Sequence, residues 1–512
     1  MLDLVGARVL ARAGLIAPAR PDRLLGVALA LARWGLTLAT GYAAGAARHP
    51  QRPAIVDDLG VLTWREVDAR TDRIAGELRR RGLREGDAVG LLARNGRGFV
   101  DGAVAASKCG ADLLYLNTGS APGQLAEVLD REGASTLLHD AALGDLLAPS
   151  VAGRLVLTTE ELSELVTSTA PVPPKSSHAP RQVILTSGTT GAPRAASRSS
   201  VSLDDAASAL SRIPLRAGGT TVIAAPVFHA WGLGHLSLAM LLGSTVVLHE
   251  RFDPARVLAS IQAQRASALV VVPVMLERLL AADPASYDLS SLQVVAVSGG
   301  ALPGALATRV LDAFGPVLYN LYGSTEVAYA AVATPEDLAA DPHCAGRPPH
   351  GVTLRVVDEQ GRDAPPGTPG RIFVGSGLAF EGYTDGSDKD RLGPLVATGD
   401  LGVLGPDNRL TVLGRDDDMV VVGGENVYPG QVEDVLHGHP CVADVAVVGE
   451  PDPAYGTRLV AHVVTSRPVD PGDLQELVRV QLARFAVPRE VRFVAELPRN
   501  PTGKVLKREL TA

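Results

Sequence analysis

The residues best suited to hold phosphate oxygens form one loop, which follows a short apolar run. Leu185 to Arg194 reads LTSGTTGAPR, with four hydroxyl side chains, two glycines and one cation. Glycine lets a backbone come close to a ligand, while hydroxyls and free N–H groups can bind phosphate oxygens. A Walker-type loop is excluded because no Gly-Lys-Ser/Thr ends the motif, and an ordinary Ser/Thr/Gly turn remains the alternative. We therefore predict a phosphate-binding loop here.

Four more short motifs follow in the second half of the chain. Asn320–Glu326 (NLYGSTE) offers a Tyr ring that could stack on a base and a carboxylate that could bind magnesium near phosphates. Thr398-Gly-Asp400 offers a carboxylate for two ribose hydroxyls. The other two are Gly414–Asp418 (GRDDD), which precedes Gly423–Asn426 (GGEN), and Pro498–Lys504 (PRNPTGK), which puts a lysine on a tight turn. Taken singly, each is also typical of an ordinary turn.

The order and spacing of the five motifs resemble those of the adenylate-forming superfamily, which contains acyl-CoA synthetases, luciferases and peptide-synthetase adenylation domains. The resemblance extends from about residue 50 to the end of the chain. The family's phosphate loop has the form TSGTTGxPK, its adenine segment YGxTE, its ribose loop TGD, its hinge GRxDD, and its last lysine lies in a PxxxxGK-like turn. Among members, Gly423–Pro429 (GGENVYP) and Phe380–Tyr383 (FEGY) look most like actinobacterial fatty acyl-CoA synthetases.

The resemblance implies an ATP site and a catalytic lysine. It implies that Lys504 bridges the substrate carboxylate and the α-phosphate, stabilising the charge that builds during attack. It also implies that Glu326 holds magnesium and that Thr325 lies near the α-phosphate. The implied catalytic residues are Lys504, Glu326, Thr186 and His229. The implied ATP ligands are Thr186, Ser187, Gly188, Thr189, Thr190, Gly191 and Arg194 for the triphosphate, Gly300, Ala301, Asn320, Tyr322 and Gly323 for the adenine, and Ser324, Thr325, Asp400 and Arg415 for the α-phosphate and ribose.

The same resemblance implies an acid pocket, a hinge and a coenzyme A channel. His229, in PVFHAWG, matches the family's FHxxG segment beside the acyl pocket. A packing histidine at a strand-to-helix join is the alternative to a gating or orienting role. The implied pocket residues, which favour an apolar acid, are Phe228, His229, Trp231, Gly299 and Tyr329. Asp417 is implied as the hinge, and the channel is lined by Gly423, Gly424 and Glu425.

Two positions depart from the family pattern. Arg194 ends the phosphate loop where the family usually has Lys. Arginine keeps the positive charge and can clamp phosphate with its fork, but it is bulkier. We therefore expect retained activity with altered handling of pyrophosphate. Gln431 stands where acyl-CoA synthetases usually carry Glu.

The elements that must position these residues alternate between strands and helices. Short branched apolar runs end in turn residues, and helical stretches lie between them. One such stretch is Thr63 to Arg81, where Val67, Ile74 and Leu78 fall near one face. This alternation predicts an α/β fold with buried, largely parallel strands and helices on the faces. The apolar runs lie at 88–93, 154–159, 182–187, 220–226, 268–273 and 294–299.

A chain of 512 residues is too long for one ordinary core, so we expect several domains. A new strand-rich run begins after Arg415 and suggests a boundary there. We predict an N-terminal helical extension at 1–49, packed on a large domain at 50–414 that binds ATP and the acid. A small domain at 415–512 would carry the lysine. The resemblance further implies stacked αβ layers in the large domain and a mobile α+β fold for the small one.

Charge and cysteine content argue against other classes of protein. The net charge is −8, and no basic run is long enough to track a phosphate backbone, so nucleic acid is not an expected partner. Cys109, Cys344 and Cys441 are far apart in sequence. They give neither a disulfide framework nor a zinc spacing, and they favour a reducing cytoplasm.

The N-terminal segment allows more than one interpretation. Residues 24–47 are mostly apolar, and residues 1–49 hold six Arg against two Asp. A cleaved signal peptide is one interpretation, and a membrane span is another, although Arg33 interrupts the weakly hydrophobic run. Helices packed on the main body are favoured over a basic, apolar segment on an anionic membrane surface. We expect an uncleaved cytoplasmic protein, with peripheral membrane contact as the open alternative.

These observations predict an ATP-dependent ligase for an apolar, fatty or aryl, carboxylic acid. It would form acyl-AMP and pyrophosphate and then transfer the acyl group to coenzyme A, using ATP, Mg²⁺ and coenzyme A. We expect a monomer or homodimer acting on a small-molecule acid. One alternative is an adenylating enzyme of a secondary pathway, which activates an unusual acid or loads a carrier protein or other nucleophile. The other is a catalytically silent scaffold, which is disfavoured by four intact residues, Glu326, Asp400, Arg415 and Lys504. No carrier-like segment follows Lys504, which favours a free-standing ligase.

Overall fold

The computed structural model describes residues 3–511, apart from 17–19, 179, 187–193, 199–201, 378, 381, 385–387, 417, 423–424, 453–455 and 501–502. For residues 186, 194–198, 426 and 456 it describes the backbone alone. The α-helices are α1 (Leu4–Ala13), α2 (Pro21–Trp34), α3 (Leu38–Arg48), α4 (Trp64–Arg80), α5 (Arg97–Cys109), α6 (Pro122–Arg131), α7 (Gly144–Leu147), α8 (Thr159–Glu164), α9 (Leu203–Arg212), α10 (Ala230–Leu241), α11 (Pro254–Gln264), α12 (Pro273–Ala281), α13 (Gly304–Phe314), α14 (Pro335–Ala340), α15 (Pro429–His437) and α16 (Pro471–Gln481).

The β-strands of the first half are β1 (Pro53–Asp57), β2 (Gly60–Thr63), β3 (Ala88–Leu92), β4 (Asp112–Tyr115), β5 (Ala134–His139), β6 (Leu155–Thr158), β7 (Gln182–Thr186), β8 (Arg194–Arg198), β9 (Thr220–Ile223) and β10 (Thr245–Leu248). Those of the second half are β11 (Ala268–Val271), β12 (Val294–Val297), β13 (Leu318–Tyr322), β14 (Ala331–Ala333), β15 (Thr353–Val357), β16 (Gly370–Gly375), β17 (Arg391–Leu392), β18 (Leu395–Leu404), β19 (Leu410–Arg415), β20 (Val420–Val422), β21 (Glu425–Val427), β22 (Val442–Asp452), β23 (Gly456–Thr465) and β24 (Glu490–Phe493).

Two largely parallel sheets form the α/β layers of the large N-terminal domain. Sheet A has the order β14-β13-β12-β11-β9-β10-β1-β2, and sheet B has the order β6-β5-β3-β4-β7-β8. The edge strands β2, β14 and β8 are antiparallel to their neighbours, while the inner strands pair in parallel. Parallel strands buried on both faces read as unbroken branched apolar runs, as in Val294–Val297. The predicted α/β fold is confirmed.

Helix α4 illustrates how local sequence sets an element and the face that it buries. Thr63 and Glu66 form a capping box: the Thr63 hydroxyl accepts the Glu66 N–H at 3.3 Å, and the Glu66 carboxylate accepts the Thr63 N–H at 2.7 Å. Val67, Ile74 and Leu78 then fall on one face and are fully buried. The helix spans Trp64–Arg80, against the predicted stretch of 63 to 81.

The later strands form smaller antiparallel and mixed sheets. Sheet C has the order β15-β16-β18-β17, with β19 also paired to β18, and β20 pairs with β21 in a hairpin. Sheet E, with the order β22-β23-β24, belongs to the small C-terminal domain. This domain has its own core, in which Val432 and Leu436 of α15 and Leu474 and Val478 of α16 pack with strands of sheet E.

The N-terminal helices lie on the outside of the large domain. Helix α3 packs on the buried ring of Trp64, because Gly45 has no side chain to separate the two helices: a Cβ there would lie 2.1 Å from Trp64 Cε3. Helix α2 in turn packs on α3 where Gly26 approaches Ala47. Among the residues that the structure describes, no helix combines the length and apolar character that a membrane span requires.

We predict that Gly45→Ala destabilises the large domain although alanine favours helix. Overpacking against the fully buried Trp64 ring costs about 1–3 kcal/mol, which exceeds a gain of about 1 kcal/mol in helix propensity. Thermal unfolding should show a lower midpoint. The matched control is Gly123→Ala in α6, where a Cβ meets no atom within 4 Å and stability should hold or rise. Equal effects of the two substitutions would contradict the tight packing of α3 on Trp64.

Candidate active site

The carboxyl ends of the parallel strands of sheet A bring three of the predicted segments to one edge. Parallel sheets present their ligand-binding loops at this edge. The segment with Phe228 and His229 follows β9, the segment with Gly299 to Ala301 follows β12, and the loop at 323–330 follows β13. Gly299 adopts a left-handed backbone, with φ of 89°. A Cβ there would lie 3.2 Å from Val272, the residue after β11.

The loop at 323–330 folds back tightly on the end of β13. A Cβ at Gly323 would lie 1.8 Å from the carbonyl oxygen of Ala328, so only glycine fits. The Ala328 N–H donates to the Ser324 carbonyl at 2.8 Å, and the Ala330 N–H donates to the Tyr322 carbonyl at 2.9 Å. Ala328 itself has a φ of 59°. This closure fixes the backbone that carries Glu326.

The carboxylate of Glu326 is largely withdrawn from solvent and held by two hydroxyl groups. Tyr383 donates to Glu326 Oε1 at 2.6 Å, and the Ser324 hydroxyl is also hydrogen-bonded to the carboxylate. Ser324 Oγ in addition accepts the Glu326 N–H at 3.3 Å. Burial acts to raise the pKa of Glu326, but the hydrogen bonds from Tyr383 and Ser324 lower it by more than burial raises it. The pKa of Glu326 therefore lies below its usual value. Glu326 is therefore an anion at neutral pH.

An ionised carboxylate at this position fits a magnesium ion. Mg²⁺ prefers oxygen ligands and is usually bound by one or two carboxylates together with substrate phosphates and water. Over the described part of the chain, no three His, Cys, Asp or Glu side chains come together as a complete metal site.

Asp400 and Arg415 are direct cross-strand partners on β18 and β19. Arg415 Nη1 lies 3.6 Å from Asp400 Oδ1, and the Tyr322 hydroxyl donates to Asp400 Oδ2 at 2.5 Å. Burial raises the pKa of Asp400, and the nearby Tyr322, Arg415 and Lys504 only partly offset this. Tyr322 ends β13, so its hydroxyl joins sheet A to sheet C at the edge where the predicted adenine and ribose residues meet.

The turn that carries Lys504 is closed by its own backbone. The Asn500 side chain accepts the Lys504 N–H at 2.9 Å, and the Asn500 N–H donates to the Lys504 carbonyl at 2.9 Å. Gly503, with φ of 83°, lies against α12, where a Cβ would come 2.7 Å from Val274 Cγ1. The turn thus rests on the large domain, with the Lys504 ammonium close enough to lower the pKa of Asp400 against the effect of burial.

A second contact between the domains was not predicted from the sequence. Asp434 of α15 accepts the N–H of Gly304, the first residue of α13, at 3.0 Å. Its other oxygen is hydrogen-bonded to His343 Nδ1. This bond raises the pKa of His343 above its usual value, although partial burial opposes it. The contact stabilises the orientation in which the Lys504 turn covers the large domain.

The residues predicted for the acid pocket are divided between lining and core. His229 caps the N-terminus of α10, and burial lowers its pKa to about 4, so the ring is neutral at pH 7. Tyr329 reaches α10, with its hydroxyl 3.6 Å from the position of a Cβ on Gly234. The Trp231 indole N–H instead donates to the Val271 carbonyl at 2.9 Å, which anchors α10 to β11. Phe228 is buried.

A buried asparagine positions the His229 segment, and sequence reasoning missed it. The Asn95 side chain donates to the carbonyls of Ile223 and Ala225 and accepts the Val227 N–H at 2.9 Å. The carboxamide therefore holds the backbone that leads from β9 to His229. Only spatial contact reveals this role, because Asn95 lies more than 100 residues before its partners.

Other predicted residues lie near the chain segments that the structure describes only in part. Thr186 ends β7 and Arg194 begins β8, and their backbones are paired. Asn320 lies within β13, and Glu425 begins β21 in the small domain. The predicted residues outside the described part are Ser187, Gly188, Thr189, Thr190, Gly191, Asp417, Gly423 and Gly424.

Comparison with known proteins identifies the family. Residues 42–384 match the family described as AMP-binding enzyme, and residues 431–504 match the AMP-binding enzyme C-terminal domain. The chain is 32% identical to a feruloyl-CoA synthase of an Amycolatopsis species over 90% of this chain and 96% of that one. It is 29% identical to the fatty acid–[acyl-carrier-protein] ligase ScoC of Streptomyces coeruleorubidus, over 91% and 94% of the two chains.

The fold is also shared with a solved enzyme. The o-succinylbenzoate CoA synthetase MenE of Bacillus subtilis, in complex with its acyl-adenylate intermediate, superposes with a TM-score of 0.83 at 27% identity. The alignment covers 92% of this chain and 98% of MenE. The sequence match, the two-domain fold and the residues gathered at the edge of sheet A agree, and the protein belongs to the AMP-binding enzyme family of the adenylate-forming superfamily.

Proposed function

We propose that the protein is an ATP-dependent carboxylic acid–CoA ligase that works through an acyl-adenylate. The observation that carries this proposal is the meeting of Tyr322, Glu326, Asp400 and Lys504 at one edge of sheet A. Together these groups offer an aromatic ring for a base, a carboxylate for a cation, a second carboxylate for ribose hydroxyls and a positive charge for the α-phosphate. The names of the relatives, a feruloyl-CoA synthase and an o-succinylbenzoate CoA synthetase among them, support the same reaction class.

The first half-reaction needs positioning and charge neutralisation. A carboxylate oxygen of the acid attacks the α-phosphorus, and pyrophosphate leaves with the electrons of the broken P–O bond. We assign Asp400 and Arg415 to the ribose and Lys504 to the charge that develops between carboxylate and α-phosphate. Glu326 would hold Mg²⁺, which when bound neutralises phosphate oxygens. The segment from Thr186 to Arg194 is assigned to the triphosphate.

The second half-reaction requires another orientation of the small domain. The coenzyme A sulfur attacks the carbonyl carbon of the adenylate, the bond to the AMP oxygen breaks, and the thiol proton passes to solvent. In the present orientation the Lys504 turn covers α12, so we propose that a domain at 415–512 rotates about Asp417 to clear it. Gly423, Gly424 and Glu425 would then line the coenzyme A channel.

The substrate that best suits the pocket is an apolar acid. His229 is neutral, Phe228 is buried, and the Tyr329 hydroxyl is directed at Gly234 of α10, so these lining residues offer no charge to bind a charged tail. We assign fatty and aryl acids to this site. A carrier-protein acceptor is the second candidate, because ScoC is named as a fatty acid–[acyl-carrier-protein] ligase. We place the enzyme in the cytoplasm as a monomer or homodimer, in keeping with the free thiols of Cys109, Cys344 and Cys441.

We predict acid-dependent release of pyrophosphate from ATP, followed by a thioester when coenzyme A is present. A screen of short, medium, long and aryl acids, with and without coenzyme A, measures both products. Heat-treated protein and omission of acid are the controls. Lack of acid-dependent pyrophosphate release across the set would overturn the ligase assignment. Acid-dependent pyrophosphate release without formation of a coenzyme A thioester would favour the carrier-protein acceptor instead.

We predict that Lys504→Ala separates the two half-reactions. Loss of the ammonium should slow adenylation on the order of 10²- to 10³-fold, as loss of one preorganised charge donor does. Thioester formation from preformed acyl-adenylate should stay near the normal rate, because the leaving group is already in place. Single-turnover assays measure each step. Lys507→Ala, which removes an ammonium paired with Glu433 in the same domain, is the control and should retain both steps. Equal losses in both steps for Lys504→Ala would contradict the domain rotation.

We predict that ATP affinity depends on the ionisation of Asp400. A protonated Asp400 cannot accept two ribose hydroxyls, and burial raises its pKa, so ATP binding should weaken on acidification from a higher pH than an ordinary Asp would set. The Tyr322 hydrogen bond lowers that pKa, so Tyr322→Phe should move the midpoint to still higher pH. Calorimetric titration with ATP across pH measures both. Asp400→Asn should remove the dependence, and a Tyr322→Phe midpoint at lower pH would refute the assignment.

A further inference from the structure

Helix α2 presents an apolar face to solvent. Over the described residues, eight of the seventeen exposed large hydrophobic side chains lie between positions 4 and 36, in a small fraction of the chain. On α2, Leu24, Leu25 and Leu29 are 53, 60 and 60% exposed, and Leu31 is also exposed, as is Leu36 just beyond the helix. The only buried described residue of α2 is Ala30. Exposed apolar patches of this kind mark binding surfaces.

Packing on α3 explains why this face points outward. Gly26 touches Ala47 of α3, and Ala30, one turn further, is buried on the same side. Leu25 and Leu29 are four residues apart and fall on one face of the helix, away from that contact. The leucines therefore stay exposed to solvent when the other side of α2 packs on α3.

Cations stand at both ends of the same face. Arg20 lies four residues before Leu24, and Arg33 lies four residues after Leu29, so each continues the apolar stripe at helical spacing. Arg20 is exposed and its guanidinium is paired with Asp22, while the exposed Arg33 donates to the Pro173 carbonyl at 3.0 Å. Residues 1–49 have a net charge of +4, whereas the whole chain has −8, which leaves −12 for the rest. The basic charge is thus concentrated where the apolar face is.

The size of the face disfavours a second protein chain as its occupant. A helix of 14 residues is about 21 Å long, and one face of it covers only a few hundred Å². A stable protein interface buries about 800 Å² on each partner. Binding to a bilayer surface does not need an interface of that area. The free energy of shallow apolar insertion and that of attraction to anionic headgroups add to each other.

We propose that the α2 face, made by Leu24, Leu25 and Leu29 and bounded by Arg20 and Arg33, docks on a bilayer that contains anionic phospholipid. The leucines enter the boundary between headgroups and acyl chains, and the net charge of +4 on residues 1–49 attracts the anionic headgroups. The hairpin of α2 and α3 packs on α10 through Gly41 and Met240, and the same helix begins next to His229. One helix thus joins the docking face to the pocket assigned to an apolar acid.

The test uses the full-length protein and the double variant Leu25→Gln/Leu29→Gln. Both side chains are exposed, and glutamine keeps helix propensity, so the fold should be retained. Cosedimentation with vesicles of phosphatidylcholine and phosphatidylglycerol should show binding that the double variant weakens about 10- to 100-fold, from the loss of two partly buried leucines. Raising the salt concentration should weaken binding of the unaltered protein, because the electrostatic part is screened.

Val480→Gln is the matched control, since Val480 is 75% exposed on α16 of the small domain and should not affect binding. Vesicles of phosphatidylcholine alone should bind the unaltered protein much less. Equal binding of the unaltered protein and the Leu25→Gln/Leu29→Gln variant would overturn the proposal. Equal binding of the unaltered protein to vesicles with and without phosphatidylglycerol would also overturn it. So would a change in oligomeric state between the two proteins without vesicle binding, which would assign the face to a second copy. None of these measurements depends on ligase activity.

Discussion

The hydrogen bond from Tyr322 to Asp400 is the constraint on which the geometry of the site depends. Tyr322 ends a parallel strand of sheet A, and Asp400 lies in an antiparallel strand of sheet C, so this O–H···O contact of 2.5 Å joins the two sheets at the site. Arg415 is aligned with Asp400 by strand register, and the loop after Tyr322 carries Glu326. A charged hydrogen bond between buried groups is short and directional, which suits it to this positioning role.

Much of this arrangement is predictable from the sequence because it is local. Branched apolar runs indicate where the strands lie, and Thr63 with Glu66 marks the start of α4. The turn before Lys504 is indicated by Asn500 and by Gly503, three residues later. Each of these depends on residues a few positions apart, where backbone chemistry alone decides the outcome. The resemblance to the adenylate-forming superfamily then supplied the relation between motifs that are far apart.

The contacts that escaped prediction join residues distant in sequence. Tyr383 and Glu326 are 57 positions apart, and Asp434 and His343 are 91 apart. No local pattern marks such pairs, since each side chain is typical of an exposed loop or helix until the fold brings its partner near. For α2 the sequence left two interpretations open, packing on the main body and contact with a membrane surface, because leucines at helical spacing do not show which side of the helix packs.

The Asp434 contact has a consequence for the reversibility of the catalytic cycle. The bond to the first N–H of α13 is partly buried, while the other partner, the His343 ring, is half exposed, so water reaches part of the contact. Hydrogen bonds exchanged for water at a surface contribute little net free energy, so this contact selects an orientation without trapping it. The rotation that we propose for the small domain would be easier with such bonds, because solvent can take over part of the contact when the carboxylate on α15 leaves its partners.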